Sequence, residues 1–235
     1  KDNIIKGIKA VIMAGGLGTR MAPVTDILPK PLIPINGKPV LNYIIDSLES
    51  SGIRDIWFTL NYKNYLIKAY MKESKFKSKI NYHIEKKPLG TVGSIRNLRN
   101  KISQDFLLTN CDTIIKTDFN PIYKYHKKNK FDITIVTCLK KIDIPYGVCE
   151  LDDEQSFQKI NEKPDYNFLI NTGLYFINKK IINLIPNKKF DMNELIDLAK
   201  VKKKRIGIYP IKEDSWIDVG NWKEYEKVTK KLILE

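Results

Sequence analysis

The chain has 235 residues, of which 43% are hydrophobic, so it can bury a sizeable core in one domain, with or without an added lobe. No apolar run approaches the roughly 20 residues of a membrane-spanning helix, and the charged start lacks the apolar segment of a secretion signal. The formal net charge is +14, but only five of the 41 basic residues are arginine and the lysines are spread out, which favours a surface that attracts phosphate groups over a nucleic-acid or membrane partner.

The first half of the chain alternates short apolar runs with amphipathic segments. Strands are predicted at 10–14, 55–60, 80–84, 105–110 and 132–138, and helices at 38–52, 64–74 and 119–129. Within the first helix the apolar residues fall on one face, and Gly52 is placed to end it. This alternation predicts a doubly wound α/β fold with a mostly parallel sheet and helices on both faces.

The pattern changes after Cys138. Strand-like segments at 146–152, 157–163, 167–178 and 205–211 predict a partly antiparallel second half that covers one end of the sheet. Asp191 and Glu194 form a capping-box pattern that begins a helix, and a terminal helix is predicted at 221–235. We expect one domain in three parts, 1–138, 139–220 and 221–235; because the chain does not begin with Met, a further domain upstream stays open.

A glycine-rich loop, "AGGLGTRMAPVTDILPKPL", follows the first predicted strand. Backbone N–H groups of such a loop can approach an anion closely, and Arg20 offers a planar fork for phosphate oxygens. Pro29 and Pro31 fix the backbone around Lys30. The loop matches neither the P-loop nor the full dinucleotide fingerprint, so the pattern predicts a phosphate site of another kind, the alternative being a structural turn beside an exposed lysine.

The same stretch resembles the signature of the sugar-1-phosphate nucleotidylyltransferases, GGxGTRxxPxTxxxPKPL, in register. Similar segments follow in order over essentially the whole chain: "EKKPLGTVGSI" (85–95), "TNCDT" (109–113), "YGV" (146–148), "NEKP" (161–164), "NTGLYF" (171–176) and "WIDVGNW" (216–222). The resemblance implies a Rossmann-like nucleotide-binding sheet with a sugar-binding lobe over 139–220. It also implies transfer of a nucleotidyl group from a nucleoside triphosphate to a sugar 1-phosphate, with release of pyrophosphate.

The resemblance also implies roles for individual residues. The expected catalytic residues are Arg20, which would lie over the leaving pyrophosphate, and Lys30, which would stabilise charge at the α-phosphate. The expected nucleotide-binding residues are Ala14, Gly15, Gly16, Leu17, Gly18, Thr19, Glu85, Pro88 and Gly90. The expected sugar-phosphate-binding residues are Tyr146, Gly147, Glu162, Lys163, Asn171 and Thr172, with Lys163 on the phosphate and Glu162 on the sugar hydroxyls. Without the resemblance, a strand end with a solvent-exposed Glu–Lys pair explains the segment "NEKP" equally well.

Two carboxylates from distant segments are expected to hold Mg²⁺. Asp112 ends an apolar strand, where α/β sheets place ligands, and Asp218 belongs to the far part of the chain. Mg²⁺ prefers one or two protein carboxylates together with phosphate oxygens and water. The alternative is an Asp in a strand-end turn at each position. Cys111 stands where many relatives have Gly, which bears on how close the backbone comes to the nucleotide.

The expected nucleotide is GTP, recognised by Glu85, because a carboxylate accepts two parallel hydrogen bonds and guanine offers two adjacent donors. The alternatives are a UTP-, dTTP- or CTP-dependent enzyme, and a Glu85 that lies on the surface beside Lys86 and Lys87. The chain looks most like bacterial guanylyltransferases that activate mannose, heptose or glucosamine 1-phosphate. Glucosamine 1-phosphate, in the legionaminic acid route, is the first choice.

A second class of function is a non-catalytic sugar-nucleotide-binding regulatory subunit; relatives of that kind tend to lack the lysine or the metal carboxylates, which this chain retains. Three cysteines at spacings that fit no zinc motif indicate reduced thiols and a cytoplasmic location. His83 and His126 are expected to be structural. Whether the chain forms a homo-oligomer is left open.

Overall fold

The structure, a computed structural model, describes residues 5–233, so the last two residues of the predicted terminal helix lie outside the described residues. The strands are β1 (Lys9–Ala14), β2 (Pro34–Ile35), β3 (Lys38–Pro39), β4 (Asp55–Leu60), β5 (Lys79–Ile84), β6 (Phe106–Asn110), β7 (Thr113–Ile115), β8 (Ile133–Asp143), β9 (Val148–Leu151), β10 (Phe157–Asn161), β11 (Asp165–Ile177), β12 (Ile206–Ile211) and β13 (Trp216–Asp218). The helices are α1 (Val40–Ser50), α2 (Asn64–Glu73), α3 (Phe119–Lys128), α4 (Met192–Val201) and α5 (Trp222–Ile233). Within the described residues, no helix is long and apolar enough to cross a membrane.

The central sheet, as formed by residues 5–233, has seven strands in the order β12-β8-β11-β6-β1-β4-β5. β1 is parallel to β4 and β6, β4 is parallel to β5, and β12 is parallel to β8. β11 alone in this sheet runs antiparallel to its neighbours, β6 and β8. The predicted mostly parallel α/β fold is confirmed.

Helices cover both faces of this sheet because its inner strands are apolar on both sides. Along β1, Ala10 and Ile12 belong to one buried cluster, and Val11 and Met13 belong to the other. Successive side chains of a strand point to opposite faces, so a strand buried on both faces is a continuous apolar run. The first cluster includes the apolar faces of α1 and α3, and the second includes that of α4.

The second half of the chain joins this sheet, which corrects the expectation that it covers one end of it. The C-terminal part of β11, Leu174–Ile177, pairs with both β6 and β8 inside the sheet. The N-terminal part of β11 pairs only with β8, beyond a register shift between Asn171 and Leu174. The apolar run from Leu174 is buried, whereas the preceding residues are mostly exposed, so only the later part can occupy the middle of a sheet. A hairpin of β9 and β10 lies between these two long strands in sequence.

The carboxyl ends of the parallel strands share one edge of the sheet. The glycine-rich loop follows β1, Asp112 follows β6, and Glu85 follows β5 at this edge. The short strands β7 and β13 pair antiparallel, with Asp218 opposite Thr113. This pairing of β7 with β13 therefore brings Asp218, from near the end of the chain, beside Asp112. Ligands of open α/β sheets bind in the crevice outside such carboxyl ends.

Candidate active site

A cavity of about 430 Å³ opens at this edge of the sheet. Ten of the predicted residues line it: Gly15, Gly16, Gly18, Thr19, Arg20, Lys30, Glu85, Pro88, Gly90 and Asp112. Two other predicted residues of the glycine-rich loop do not line it: Ala14, which is buried at the end of β1, and Leu17, whose side chain is exposed. The fold thus gathers residues from four separate segments of the sequence around one space.

Lys30 is held at this cavity by two oxygen atoms. Its Nζ lies 2.5 Å from Oδ2 of Asp112 and donates to the carbonyl oxygen of Gly220 at 3.1 Å. The side chains of Lys30 and Asp112 are only 9% and 15% exposed. Charge-assisted hydrogen bonds of this kind are the stronger ones, so the ammonium group has a fixed position. The residue lies in a single 3₁₀ turn, Lys30–Leu32, whose backbone Pro29 and Pro31 restrict.

Asp112 and Asp218 flank the same backbone position. A methyl group built on Gly220 would lie 2.7 Å from Oδ1 of Asp218 and 3.4 Å from Oδ2 of Asp112. Burial raises the pKa of Asp218, and the charge of Asp112 raises it further, while the N–H of Gly220, at 2.7 Å, opposes the shift together with Lys30 and Arg20. Each carboxylate therefore raises the energy of the other unless a cation neutralises them.

This donor set fits Mg²⁺. Among residues 5–233, no group of three or more His, Cys, Asp or Glu side chains could hold a metal ion by itself. Mg²⁺ usually binds one or two protein carboxylates together with phosphate oxygens and water, and two carboxylates beside this cavity suit that preference, whereas zinc and calcium usually take more protein ligands.

Glu85 lies on another wall of the cavity and is only 6% exposed. Its Oε2 accepts a hydrogen bond from the N–H of Leu89 at 3.2 Å, and a methyl group built on Gly15 would lie 2.7 Å from its Oε1. Burial raises the pKa of Glu85, and the bond from Leu89 opposes this. The alternative of an exposed Glu85 beside two lysines is wrong, because Glu85 is buried.

The residues predicted for the sugar phosphate lie outside the lining of this cavity. Tyr146, Gly147, Glu162 and Lys163 are exposed on the connections that flank β9 and β10. A methyl group on Gly147 would lie 3.1 Å from Oε2 of Glu162, so these two connections touch each other.

Two further predicted sugar-side residues lie at the register shift of β11. Asn171 is exposed; it donates to the hydroxyl of Tyr175 at 2.7 Å and accepts from the N–H of Gly173 at 3.0 Å. The hydroxyl of Thr172 is buried and donates to the carbonyl of Val136 at 2.8 Å, which is a structural bond. The backbone at Gly173 approaches Asn110, which lines the cavity, so this part of the chain adjoins the site.

Several residues of the cavity were missed by the sequence reasoning: Met13, Thr59, Leu89, Thr91, Asn110, Lys189 and Asp191. Asp191 carried a signal, its capping-box pattern with Glu194, but the pattern indicated only the start of a helix, which the structure confirms. Cys111 also lines the cavity. Burial, helped by the charge of Asp112, raises the pKa of its thiol to about 12, so the thiol is protonated at neutral pH.

The sequence pattern of the nucleotidyl transferases matches residues 9–234. The chain belongs to the nucleotidyl transferase family. This nucleotidyl transferase is 32% identical to D-glycero-alpha-D-manno-heptose 1-phosphate guanylyltransferase of Campylobacter jejuni, over 93% of this chain and 97% of that protein. It is 30% identical to mannose-1-phosphate guanyltransferase of Schizosaccharomyces pombe, over 93% of this chain but only 62% of the length of that relative.

Solved structures agree with this family. HddC from Yersinia pseudotuberculosis is similar to this nucleotidyl transferase with a TM-score of 0.75 and 31% identity, over 96% of this chain and 99% of HddC. The complex of HddC with GMP-PN matches with a TM-score of 0.74 and 30% identity. A putative glucose-1-phosphate thymidylyltransferase from Bacillus anthracis matches with a TM-score of 0.74 at 19% identity, which shows the shared fold alone.

Proposed function

We propose that the chain transfers a guanylyl group from GTP to a sugar 1-phosphate and releases pyrophosphate. The observation that carries this proposal is one cavity lined by Arg20, Lys30, Asp112 and the buried carboxylate of Glu85. Asp218 is not part of the lining but lies beside Asp112, next to Gly220. The names of the Campylobacter and fungal relatives support the guanylyl group and a sugar 1-phosphate acceptor, as does the HddC complex with GMP-PN.

The reaction joins two polyanions, so the main task of the protein is to position them and to neutralise charge. An oxygen of the sugar phosphate attacks the α-phosphorus of GTP in line, and the bond from that phosphorus to the pyrophosphate oxygen breaks. The fixed ammonium of Lys30 would stabilise the charge that develops at the α-phosphate, and Arg20 would stabilise the leaving pyrophosphate. N–H groups of the loop from Gly15 to Gly18 would bind the triphosphate.

Asp112 and Asp218 would hold Mg²⁺, which supplies positive charge and Lewis acidity beside the phosphates. Before any ligand binds, Lys30 already neutralises Asp112, which lowers the cost of keeping the two carboxylates close together.

The buried carboxylate of Glu85 supports guanine as the base. Guanine presents a ring N–H and an exocyclic amine side by side, and a carboxylate accepts from both. Uracil and thymine present one donor flanked by carbonyl oxygens, which would face the carboxylate unfavourably. Leaving such groups unpaired in a closed pocket costs about 1–3 kcal/mol, so GTP should be preferred about tenfold or more.

The sugar 1-phosphate is proposed to bind on the second half of the chain. Lys163 is proposed to hold its phosphate and Glu162 its hydroxyls, with Tyr146, Gly147 and Asn171 beside them on the part of the chain from 139 to 220. The two relatives are named for heptose 1-phosphate and mannose 1-phosphate, so these are the first acceptors to test. Four points stay predictions: glucosamine 1-phosphate as the acceptor, a role in the legionaminic acid route, a cytoplasmic location in a bacterium, and a homo-oligomer.

A panel experiment tests this function. Each of GTP, UTP, dTTP, CTP and ATP is paired with heptose, mannose and glucosamine 1-phosphates in the presence of Mg²⁺, and pyrophosphate release is measured. We expect turnover with GTP and at least one of these sugars. A chain that binds nucleotide sugars but releases no pyrophosphate with any pair would instead be a non-catalytic binding subunit.

The base assignment is tested by Glu85→Gln, with Glu73→Gln on the exposed end of α2 as the matched control. We expect Glu85→Gln to reduce the ratio of kcat/KM for GTP over UTP about tenfold or more, because an amide cannot accept both guanine donors. The control should leave the ratio unchanged. A preference for a pyrimidine nucleotide in the wild type would contradict the guanine assignment.

A further inference from the structure

In the loop from Leu89 to Gly93, the first three residues line the cavity, and residues 190–192, a hundred positions later in the chain, hold the loop in place. The N–H of Phe190 donates to the carbonyl of Leu89 at 2.9 Å, and the N–H groups of Val92 and Gly93 both donate to the carbonyl of Phe190 at 3.1 Å. These backbone bonds tie the loop to the segment that enters α4.

Asp191 supplies the side-chain part of this connection. Its Oδ1 accepts a hydrogen bond from the N–H of Thr91 at 2.8 Å, while the hydroxyl of Thr91 accepts from the N–H of Met192 at 2.8 Å. Asp191 thus accepts from the backbone of Thr91, and Thr91 accepts from the backbone of Met192, the residue that follows Asp191. Both residues line the cavity, and neither is explained by the roles proposed above.

The same loop fixes the carboxylate that reads the base. The N–H of Leu89 donates to Oε2 of Glu85 at 3.2 Å. Gly90 lies against Asp191 so closely that a methyl group on it would be 2.7 Å from Oδ1. The chain of contacts from Asp191 through Gly90 and Leu89 to Glu85 is therefore continuous. The buried side chains Met192, Leu195 and Ala199 anchor α4 to the sheet, so the connection rests on a rigid element.

We infer that Asp191 is a positioning residue for nucleotide selection: its carboxylate accepts from Thr91 and so sets the loop at Leu89–Thr91, and through it Glu85, at the correct distance from the glycine-rich loop. This inference rests on the proposed function, because the cavity is the site where the nucleotide binds. Asp191 acts on the base end of the nucleotide and has no part in the transfer step.

Four variants separate this role from a simple effect on helix stability. Asp191→Ala removes the acceptor, and Asp191→Asn retains one acceptor oxygen for the N–H of Thr91. Glu194→Ala removes the other half of the capping box, where Glu194 accepts from the N–H of Asp191 at 2.7 Å, without touching Thr91. Asp197→Ala removes an exposed carboxylate from the middle of the same helix.

Equilibrium binding of GTP by calorimetry and steady-state kinetics are measured for each variant. We expect Asp191→Ala to raise Kd and KM for GTP at least about tenfold with kcat and the KM for the sugar phosphate nearly unchanged, the signature of lost nucleotide positioning. Asp191→Asn should restore most of the affinity. Glu194→Ala and Asp197→Ala should bind GTP as the wild type does, although Glu194→Ala should lower the melting temperature.

Two results would overturn the inference. If Asp191→Ala weakens the binding of GTP no more than Glu194→Ala does, Asp191 acts only as a helix cap. If Asp191→Asn is as weak as Asp191→Ala, the hydrogen bond to Thr91 is not what matters. A wild type that binds another nucleotide in place of GTP refutes the proposed base, and the same four variants then decide the role of Asp191 with that nucleotide.

Discussion

Gly90→Ala is expected to damage both the stability of the protein and its affinity for GTP. Gly90 has a φ of +77°, in the left-handed region, which costs an alanine about 1–2 kcal/mol. Its new methyl group would also lie 2.7 Å from Oδ1 of Asp191 and 2.7 Å from the carbonyl oxygen of Phe190. The hydrogen bonds of Val92 and Gly93 hold that carbonyl, so it cannot move alone. Overpacking of this kind costs about a further 1–3 kcal/mol.

Gly37→Ala is the matched control, because it separates the conformational cost from the clash. Gly37, in the turn between β2 and β3, has a φ of +72°, and a methyl group built on it would meet nothing within 4 Å. We expect Gly37→Ala to lower the free energy of unfolding by about 1–2 kcal/mol and Gly90→Ala by about 2–5 kcal/mol. Each kcal/mol corresponds to a fall of about 2–4 °C in Tm for a chain of this size.

Urea unfolding, thermal melting and the KM for GTP are the assays for this pair of variants. The KM for GTP should rise about tenfold or more in Gly90→Ala, because the clash displaces the loop that fixes Glu85, and it should not change in Gly37→Ala. Equal losses of stability in the two variants, or an unchanged KM in Gly90→Ala, would refute the close contact between Gly90 and the start of α4.

Three further predictions concern the metal, the two substrates and pH. Asp112→Asn and Asp218→Asn should each lower kcat at least about 100-fold, and wild-type turnover that persists in EDTA would contradict the Mg²⁺ assignment. Lys163→Ala should raise the KM for the sugar phosphate, and Arg20→Ala the KM for GTP; the two-sided arrangement of cations is wrong if both variants affect the same substrate. Burial lowers the pKa of His126 from 6.5 to about 4, although Asp105 opposes the shift, so the unfolded chain binds a proton that the folded one does not. The free energy of unfolding should therefore fall as pH drops from about 7 toward 4, by up to about 1.4 kcal/mol per pH unit, and His126→Gln should flatten this slope in urea titrations at pH 7.5 and 5.

The fold class, and ten of the residues that line the cavity, were predictable from the amino-acid sequence. Continuous apolar runs such as that of β1 indicate strands buried on both faces, and one-sided apolar patterns such as that of α1 indicate helices on a sheet. Because ligands gather at the carboxyl ends of parallel strands, Asp112, which directly follows such a run, was predictable at this edge of the sheet, whereas Glu85 was predicted through the family resemblance; both line the cavity. These are local signals, and each is contained within a few consecutive residues.

Which distant segments meet could be seen only in the folded chain. The insertion of β11 between β6 and β8 was not predictable, because strand order depends on which apolar surfaces pack together and not on the pattern of any single strand. The bond from Thr91 to Asp191 joins residues 100 positions apart, and the capping pattern of Asp191 is satisfied equally well by a helix that touches nothing. Likewise, only the pairing of β7 with β13 brings Asp218 beside Asp112, since hydrogen bonding between two short strands depends on the whole chain having folded around them.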